Sequence, residues 1–299
     1  MNNFSFRCGF VAIVGRPNVG KSTLMNNILG SKVSIVTPKP QTTRHRILGV
    51  DSNENYQAIY IDTPGIHRMT RKAINRVMNR TAINALADAD VVFFMTDANR
   101  WTGEDADVLE QLQNVEVPII AILNKIDKTH PRNILFEALG NMGERYDFSE
   151  VIPISTRRRD DVSRLCKLVP DYLPVSHALF PDDMITDQSE YFRCSEIIRE
   201  KLMDELSQEL PYGLTVQIER FEKGKDGALI NAVIWVEKNS QKGIVVGKGG
   251  RLLKKVGRAA RIEINRELSQ PTHLELWVKV KDNWADSNQD LLRFGYGAS

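Results

Sequence analysis

Eight consecutive residues near the start of the chain, Gly15, Arg16, Pro17, Asn18, Val19, Gly20, Lys21 and Ser22, fit the spacing GxxxxGK(S/T), with Thr23 directly after. That pattern is suited to phosphates. Its glycines let successive backbone N–H groups turn inward, a following helix adds the positive end of its dipole, Lys21 reaches the terminal phosphates and Ser22 can ligate magnesium. The octapeptide alone also fits an idle glycine-rich turn. Its context argues against that, because an apolar strand-like run, 10–14, precedes it and a helical candidate, 21–29, follows.

Two further groups come next in order. Asp62, Thr63, Pro64 and Gly65 follow the apolar run 58–61. A carboxylate then stands at a strand's carboxyl end beside the phosphate loop, where it can hold magnesium through water, and Gly65 can offer its N–H to a γ-phosphate. Asp, Pro and Gly are common turn residues, so this group gains its weight from its place after the phosphate loop. Asn124, Lys125, Ile126 and Asp127 end another buried run, 118–123. A carboxylate at 127 can accept from guanine N1–H and the 2-amino group, whereas adenine offers neither donor and leaves the acid unpaired. Guanine is therefore expected over adenine, with Asn124 bracing the loops and approaching N7, and the aliphatic stem of Lys125 lying across the base.

The elements that must position these groups follow an alternating pattern. Strand-like runs at 9–14, 47–51, 56–61, 91–96, 118–123 and 151–154 alternate with helical candidates at 21–29, 72–86, 104–113, 131–142 and 160–169. This is the α/β pattern of a mostly parallel sheet flanked by helices. Past Val169, Pro170, Pro174 and Pro181 fall in a segment without sustained periodicity. The division expected is a first domain over 1–172, a linker over 173–190 and a second domain over 191–299. That second part opens on an apolar stripe, Cys194, Ile198, Leu202 and Leu206, within a helix expected over 191–209. Strand-like runs 214–222 and 228–237 follow, separated by five residues whose glycines suit a hairpin. A short apolar segment, 244–246, then leads to Gly247, Lys248, Gly249 and Gly250, a long helix to about 268 and a strand-like run 273–280.

The tetrapeptide 247–250 matches the GxxG loop with which KH domains clamp single-stranded RNA. GxxG alone is a weak signal, and the helix after it adds the support. Leu253, Val256, Ala260 and Ile264 make one apolar face, while Arg251, Lys254, Arg258 and Arg261 lie on another side. From 242 to 266 eight basic residues stand against the single acid Glu263, a net +7 in a chain whose overall charge is only +2. Most charge runs are solvated faces, but one this uniformly basic beside a glycine loop favours a polyanion.

On these motifs the chain resembles the Era family of bacterial GTPases over essentially its whole length. The resemblance implies a P-loop GTPase domain followed by an α+β KH domain of type II, which hydrolyses GTP to GDP and phosphate. It implies GTP or GDP and magnesium as ligands, and binding to the 3′ end of 16S ribosomal RNA in assisting assembly of the 30S subunit. It also marks Gln41, Thr42, Thr43, Arg44 and His45 as the first switch. In that switch a threonine, Thr43 in preference to Thr42, contacts magnesium and γ-phosphate, so the implied metal ligands are Ser22, Thr43 and Asp62. The fifth motif is Ile154, Ser155 and Thr156, where the backbone N–H of the third residue faces guanine O6. Thr156 replaces the usual alanine, and Arg157, Arg158 and Arg159 stand where a glycine commonly follows.

Ras-type GTPases orient the attacking water with a glutamine after the Asp-x-x-Gly group. Here that position is Ile66. Lys21, Thr43, Gly65 and Asn18 remain as the catalytic candidates. Asn18 has two readings, a loop cap or the ligand of a potassium ion in place of an arginine finger. The expected RNA contacts are Gly247, Lys248, Gly249, Gly250, Arg251, Lys254 and Arg258.

Composition fits this picture. At 42% hydrophobic and 26% charged, the 299 residues are those of an ordinary soluble protein of about two domains. The longest apolar stretches are far short of the ~18 residues of a membrane-spanning helix. No export signal is legible at the N-terminus, so a cytoplasmic monomer is expected. Peripheral association with the inner membrane through the basic helix is the rival reading. The three cysteines, Cys8, Cys166 and Cys194, lack any CxxC spacing and read as reduced thiols. Neither the five histidines nor the four tryptophans show a spacing that assigns them a role.

Overall fold

The computed structural model describes residues 5–66, 72–206 and 210–297. Two compact units divide the chain between Asp187 and Gln188, with Lys72–Ile74 grouped with the second.

The first unit is built on a six-stranded sheet in the order β2-β3-β1-β4-β5-β6. Its strands are β1 (Arg7–Val14), β2 (Ile47–Ser52), β3 (Tyr56–Asp62), β4 (Val91–Asp97), β5 (Ile119–Asn124) and β6 (Glu150–Pro153). Only β2 runs antiparallel to its neighbour. Helices α1 (Lys21–Leu29), α2 (Ala73–Ala87), α3 (Gly103–Leu112), α4 (Asn133–Arg145) and α5 (Arg159–Leu168) supply the crossovers. A parallel sheet covered on both faces needs strands without a polar side, and every residue of β5 is buried. The strand order reverses at β1, which pairs with β3 on one side and β4 on the other. In such sheets ligands bind beyond the carboxyl ends of the strands at the point of reversal. The phosphate loop follows β1, Asp62 ends β3 and Asn124 ends β5, so all three motifs reach that edge.

The segment expected as a linker over 173–190 is anchored to the first unit through most of its length. Pro174 and Phe6 carbonyls accept from the Cys8 and Ser176 N–H groups at 3.0 and 3.1 Å. Gln57, fully buried on β3, donates to the Phe180 carbonyl at 2.8 Å and accepts from the Leu179 and Phe180 N–H groups at 2.8 and 2.9 Å. Ile185 and Thr186 bond to Val50 and Leu48 of β2. One buried amide thus satisfies a stretch of backbone that has no periodicity of its own.

The second unit runs α6 (Glu190–Glu205), β7 (Leu214–Gly224), β8 (Gly227–Val236), α7 (Asn239–Val246), α8 (Arg251–Glu267), β9 (Thr272–Val280) and α9 (Asn288–Arg293). Its sheet is ordered β7-β8-β9, with β7 and β8 antiparallel and β8 and β9 parallel. Ser189 caps α6, its hydroxyl accepting from the Phe192 N–H at 3.2 Å. The helix ends at Glu205, before the expected 209, and 207–209 lie outside the described residues. The hairpin is tighter than the five residues expected, because Lys225 and Asp226 alone separate the strands. Ile198 and Leu202 of α6, Val256, Ala260 and Ile264 of α8, and Ile230 and Ile234 of β8 share one core. At the C-terminal end Trp284 is fully buried and stacks on Tyr296, with its indole N–H donating to the Gly213 carbonyl at 3.2 Å. All three cysteines are free thiols, and burial raises those of Cys166 and Cys194 to about 12.

Candidate nucleotide and nucleic-acid sites

Between β1 and α1 the chain takes a path that its glycines permit. Gly15 has φ of 153°, and a Cβ there would lie 2.4 Å from the Met95 carbonyl oxygen. Gly20, at the N-terminus of α1 with φ of 112°, would place a Cβ 2.3 Å from Asn124 Nδ2. No other residue type fits either position. Lys21 is buried, with Nζ donating to the Gly15 and Arg16 carbonyls at 2.9 and 3.1 Å. Burial lowers its pKa to about 8, Arg16 acting the same way and Asp62 against it. Asn18 adopts φ of 63° and donates through Nδ2 to the Pro38 carbonyl at 3.0 Å. Arg16 turns aside: its Nε reaches both carboxylate oxygens of Asp105, at 3.1 and 2.9 Å. Asp105 itself is locked at the start of α3 by the Thr102 N–H and hydroxyl, both at 2.8 Å.

The three candidate metal ligands meet at one point. Ser22 Oγ donates to Asp62 Oδ2 at 2.6 Å, Thr43 Oγ1 does so at 3.3 Å, and the two hydroxyls are 2.8 Å apart. Thr42 instead bonds to Thr37 and to the Lys39 carbonyl. Asp62 is fully buried, and this desolvation raises its pKa against the pull of Ser22, Lys21 and the other hydroxyls. Among the described residues its Oδ1 is buried without any hydrogen-bond partner. A carboxylate oxygen left bare beside two hydroxyls is a hard-oxygen donor set, and it fits a magnesium ion. Sequence reasoning missed a fourth member of this group. Ser34 also donates to Asp62 Oδ2, at 2.8 Å, and is positioned by Asn26, which brackets 33–34 with three hydrogen bonds. A lone serine between two candidate elements carries no spacing that would reveal it.

Of the residues around Gly65, Thr63 donates to the Ile13 carbonyl at 2.9 Å, while Val19 and Ile66 point into the core. Gly65 touches Pro17 so closely that a Cβ would lie 2.8 Å from its ring. At the opposite end Asn124 joins two loops. Its Nδ2 donates to the Val19 carbonyl at 2.7 Å and to Thr156 Oγ1 at 3.3 Å, and its Oδ1 accepts from the Thr156 N–H at 3.0 Å. Lys125 sits at φ of 68° with its Nζ 2.9 Å from Asp97. Asp127 accepts from Ser155 Oγ at 2.7 Å, and this bond holds its carboxyl below the usual range, with Arg157 and Lys128 adding to the effect. Two residues unread in the sequence steady the loop, since Asp161 accepts from the Ser155 N–H at 2.8 Å and Asn27 donates to the Thr156 carbonyl.

Together these segments enclose a cleft of about 450 Å³. Pro17, Asn18, Gly20, Lys21, Ser22, Thr23, Thr43, Gly65, Asn124, Lys125, Asp127 and Thr156 line it. Gly15, Arg16, Val19, Asp62, Thr63, Pro64, Ile66 and Ser155 are not part of that lining; Arg16 turns to Asp105, and Val19 and Ile66 are buried. Thr37 and Pro38, with Gln41 and Thr42 of the first switch, add to the wall.

In the second unit the glycine loop is open. Gly249 and Gly250 take φ of 60° and 75°, and a Cβ on either would meet nothing within 4 Å. Gly247, with φ of 72°, differs: a Cβ there would lie 2.8 Å from that of Leu252. On α8 the expected faces are separated, with Val256, Ala260 and Ile264 buried and Arg251, Lys254, Arg258 and Arg261 exposed. Lys255, adjacent to them, is paired with Glu205 at 2.7 Å.

Comparison with known proteins gives two family matches, a 50S ribosome-binding GTPase family over residues 10–125 and the KH domain family over 209–285. The chain is 48% identical to the GTPase Era of Vibrio vulnificus strain YJ016, over 97% of this chain and 91% of that protein. Among solved structures it is similar to a point variant of Aquifex aeolicus Era bound to GDP·AlF4−, at 38% identity and a TM-score of 0.94, covering 97% of this chain and 99% of that one. It matches equally, in identity, coverage and TM-score, an Era in complex with MgGDPNP and nucleotides 1506–1542 of 16S ribosomal RNA.

Proposed function

The chain belongs to the Era family of GTPases, and on that footing we propose that it is a magnesium-dependent GTP switch that binds the 3′ end of 16S ribosomal RNA and assists assembly of the 30S subunit. The observation that carries the nucleotide half is the convergence of residues from four separate segments on one cleft, with Asp127 at one end and Asp62, Ser22 and Thr43 at the other. On this reading Asp127 pairs with guanine, Asn124 fixes the loops around the base, and Lys21 and the α1 N-terminus meet the phosphates. Ser22, Thr43 and Asp62 would hold magnesium, which when bound supplies positive charge where the transferred phosphoryl group carries negative charge. Gly65 would present its N–H to the γ-phosphate. Ile66 has no group with which to orient water, so intrinsic hydrolysis is slow.

Asn18 is proposed to serve a monovalent cation through its amide oxygen while its Nδ2 holds Pro38. Turnover then runs faster in potassium than in sodium at equal ionic strength, and Asn18→Ala abolishes the difference. Equal rates in both salts remove the cation without touching the GTPase.

For the RNA half, the support is the open glycine loop beside an exposed basic helix face, together with the RNA held by the Era complex. Gly247, Lys248, Gly249, Gly250, Arg251, Lys254 and Arg258 are the proposed contacts. The deciding titration compares RNA from the 3′ end of the small-subunit ribosomal RNA with a large-subunit strand and with anionic liposomes. Equal affinity for both RNAs removes the specific target, and preference for the liposomes replaces RNA with a membrane surface.

A further inference from the structure

The fifth nucleotide motif is followed by three arginines that the proposed function leaves without a task. Arg157, Arg158 and Arg159 are all exposed. Arg157 lines the rim of the cleft and bears electrostatically on Asp127. Among the described residues no side-chain hydrogen bond or ion pair holds Arg158 or Arg159, although Asp160 and Asp161 follow directly. Asp161 is occupied by the Ser155 N–H. Folding does not explain the placement. Arg158 is the N-cap of α5 and Arg159 its first residue, and the amino end of a helix is where a cation is disfavoured. Arg157 has the Asp127 carboxylate to offset its charge, but among the described residues Arg158 and Arg159 have no such side-chain partner. Lys128, also exposed, lies on the same rim, so the positive potential extends along the mouth of the guanine end.

We propose that Arg157, Arg158 and Arg159 form a second contact for the phosphodiester backbone of RNA, on the GTPase unit and additional to the glycine loop. The inference rests on the reading that the protein binds RNA. Guanidinium groups suit phosphate oxygens through paired N–H donors, and Arg158 and Arg159, which no side chain among the described residues holds, lose little on engaging them. Because residues 155–156 join the arginines directly to the loop that holds Asp127 and Asn124, RNA seated there also couples to guanine-nucleotide affinity, by the same factor in both directions.

The test uses the full chain and two RNAs, one spanning the nucleotides of the Era complex, 1506–1542, and one of about six nucleotides, just beyond the four that a KH loop clamps. Arg158→Ala/Arg159→Ala is compared with Arg158→Lys/Arg159→Lys, leaving Arg157 at the cleft untouched. Loss of two phosphate contacts flattens the slope of log affinity against log salt by about 1.4, so the fall in affinity between about 50 and 200 mM salt shrinks roughly sevenfold. That change is expected with the long RNA and the alanine pair, is absent with the short RNA, and is largely reversed in the lysine pair. An unchanged slope with the long RNA, or an equal change with the short one, overturns the proposal. Weakened GTP binding by the alanine pair without RNA also overturns it, by assigning the arginines to the nucleotide loop. The wild-type protein separates the two readings: if it binds neither RNA, the RNA function itself fails, whereas a Lys254→Glu/Arg258→Glu pair that leaves RNA binding intact removes only the α8 contacts.

Discussion

The nucleotide cleft and the glycine loop both rest on glycines and cations, yet they are built in opposite ways. In the cleft the glycines are crowded, since a Cβ on Gly15 or Gly20 would collide with Met95 or Asn124, and the polar side chains are tied to one another across long stretches of sequence. In the glycine loop Gly249 and Gly250 face open space and the neighbouring cations on α8 are exposed. An enclosed network of mutually oriented donors and acceptors discriminates one base from another, because a wrong partner leaves a buried group unpaired. An open cationic face reads charge and backbone, and it loses affinity gradually as contacts are removed. Substitutions in the first region are therefore expected to be abrupt, and those in the second graded and sensitive to salt.

The sharpest break lies at Asp127. Asp127→Asn replaces an acceptor with a donor opposite guanine, and GTP affinity falls on the order of 10⁴-fold, the scale seen when a polar site meets a partner lacking its complement. Xanthosine triphosphate, with an acceptor where guanine has its amino group, binds correspondingly better. Equilibrium titration with both nucleotides checks this, and wild-type GTP affinity in the variant removes the base-reading role.

In the second region the glycines are not equivalent. Gly247→Asp forces a Cβ against Leu252 and lowers stability as well as RNA binding. Gly249→Asp adds charge in open space at a left-handed φ that aspartate tolerates better than most residues. It should reduce single-stranded RNA affinity by about a hundredfold, on the order of two to three good polar contacts, with the melting temperature nearly unchanged. Lys254→Glu/Arg258→Glu should weaken RNA binding and flatten its salt slope by at least about 1.4. GTP affinity is the control in each case, and its loss would mean that the two functions are not separable.

How legible each region was in the sequence follows from the same contrast. The phosphate loop, the group ending in Gly65 and the group ending in Asp127 are contiguous, each placed by its own strand, so their spacing together with their order along the chain exposed them. Ser34, Asn26, Asn27, Asp105 and Asp161 act across gaps in the chain, with common residue types and no periodicity, and only the fold brings them to Asp62, Arg16, Thr156 and Ser155. The basic helix was legible because 3.6-residue periodicity separates its faces within one element. The C-terminal end was not: α9 has six residues, too few for a period, and Trp284 and Tyr296 enter the core singly. The segment after Leu173 looked like a linker because its order comes from Gln57, more than a hundred residues earlier.

Lys21 offers a smaller, pH-dependent test of the enclosed region. Its pKa of about 8 in the free protein lies below the ordinary 10.5, so the folded state favours the neutral amine and this group adds stability as pH rises between those values. Bound phosphates act oppositely and raise the pKa again. Below pH 8 the amine is charged with or without GDP, and affinity is flat with respect to this group. Above it, binding takes up a proton, and affinity falls by up to tenfold per pH unit. Calorimetry near pH 8.5 in two buffers of different ionisation enthalpy reads that proton directly. Absence of uptake would show that Lys21 is charged throughout.

The mildest expected effect, at Thr156, tests whether the cleft's network is formed before any ligand arrives. Thr156 stands where the family usually carries alanine, and its Oγ1 accepts from Asn124 at 3.3 Å, while Asn124 also holds the Val19 carbonyl and the Thr156 N–H. Thr156→Ala removes the longest of these three bonds and leaves one buried donor hydrogen less well satisfied, which costs about 1 kcal/mol. Because the remaining two bonds keep both loops in register, that cost falls on the free and the nucleotide-bound protein alike. Urea unfolding of the nucleotide-free variant should therefore show the loss, while GTP affinity changes by less than about threefold. The opposite pattern, a tenfold loss of affinity with unchanged stability, would mean that the hydroxyl acts on the nucleotide itself and that the loops become ordered only around it.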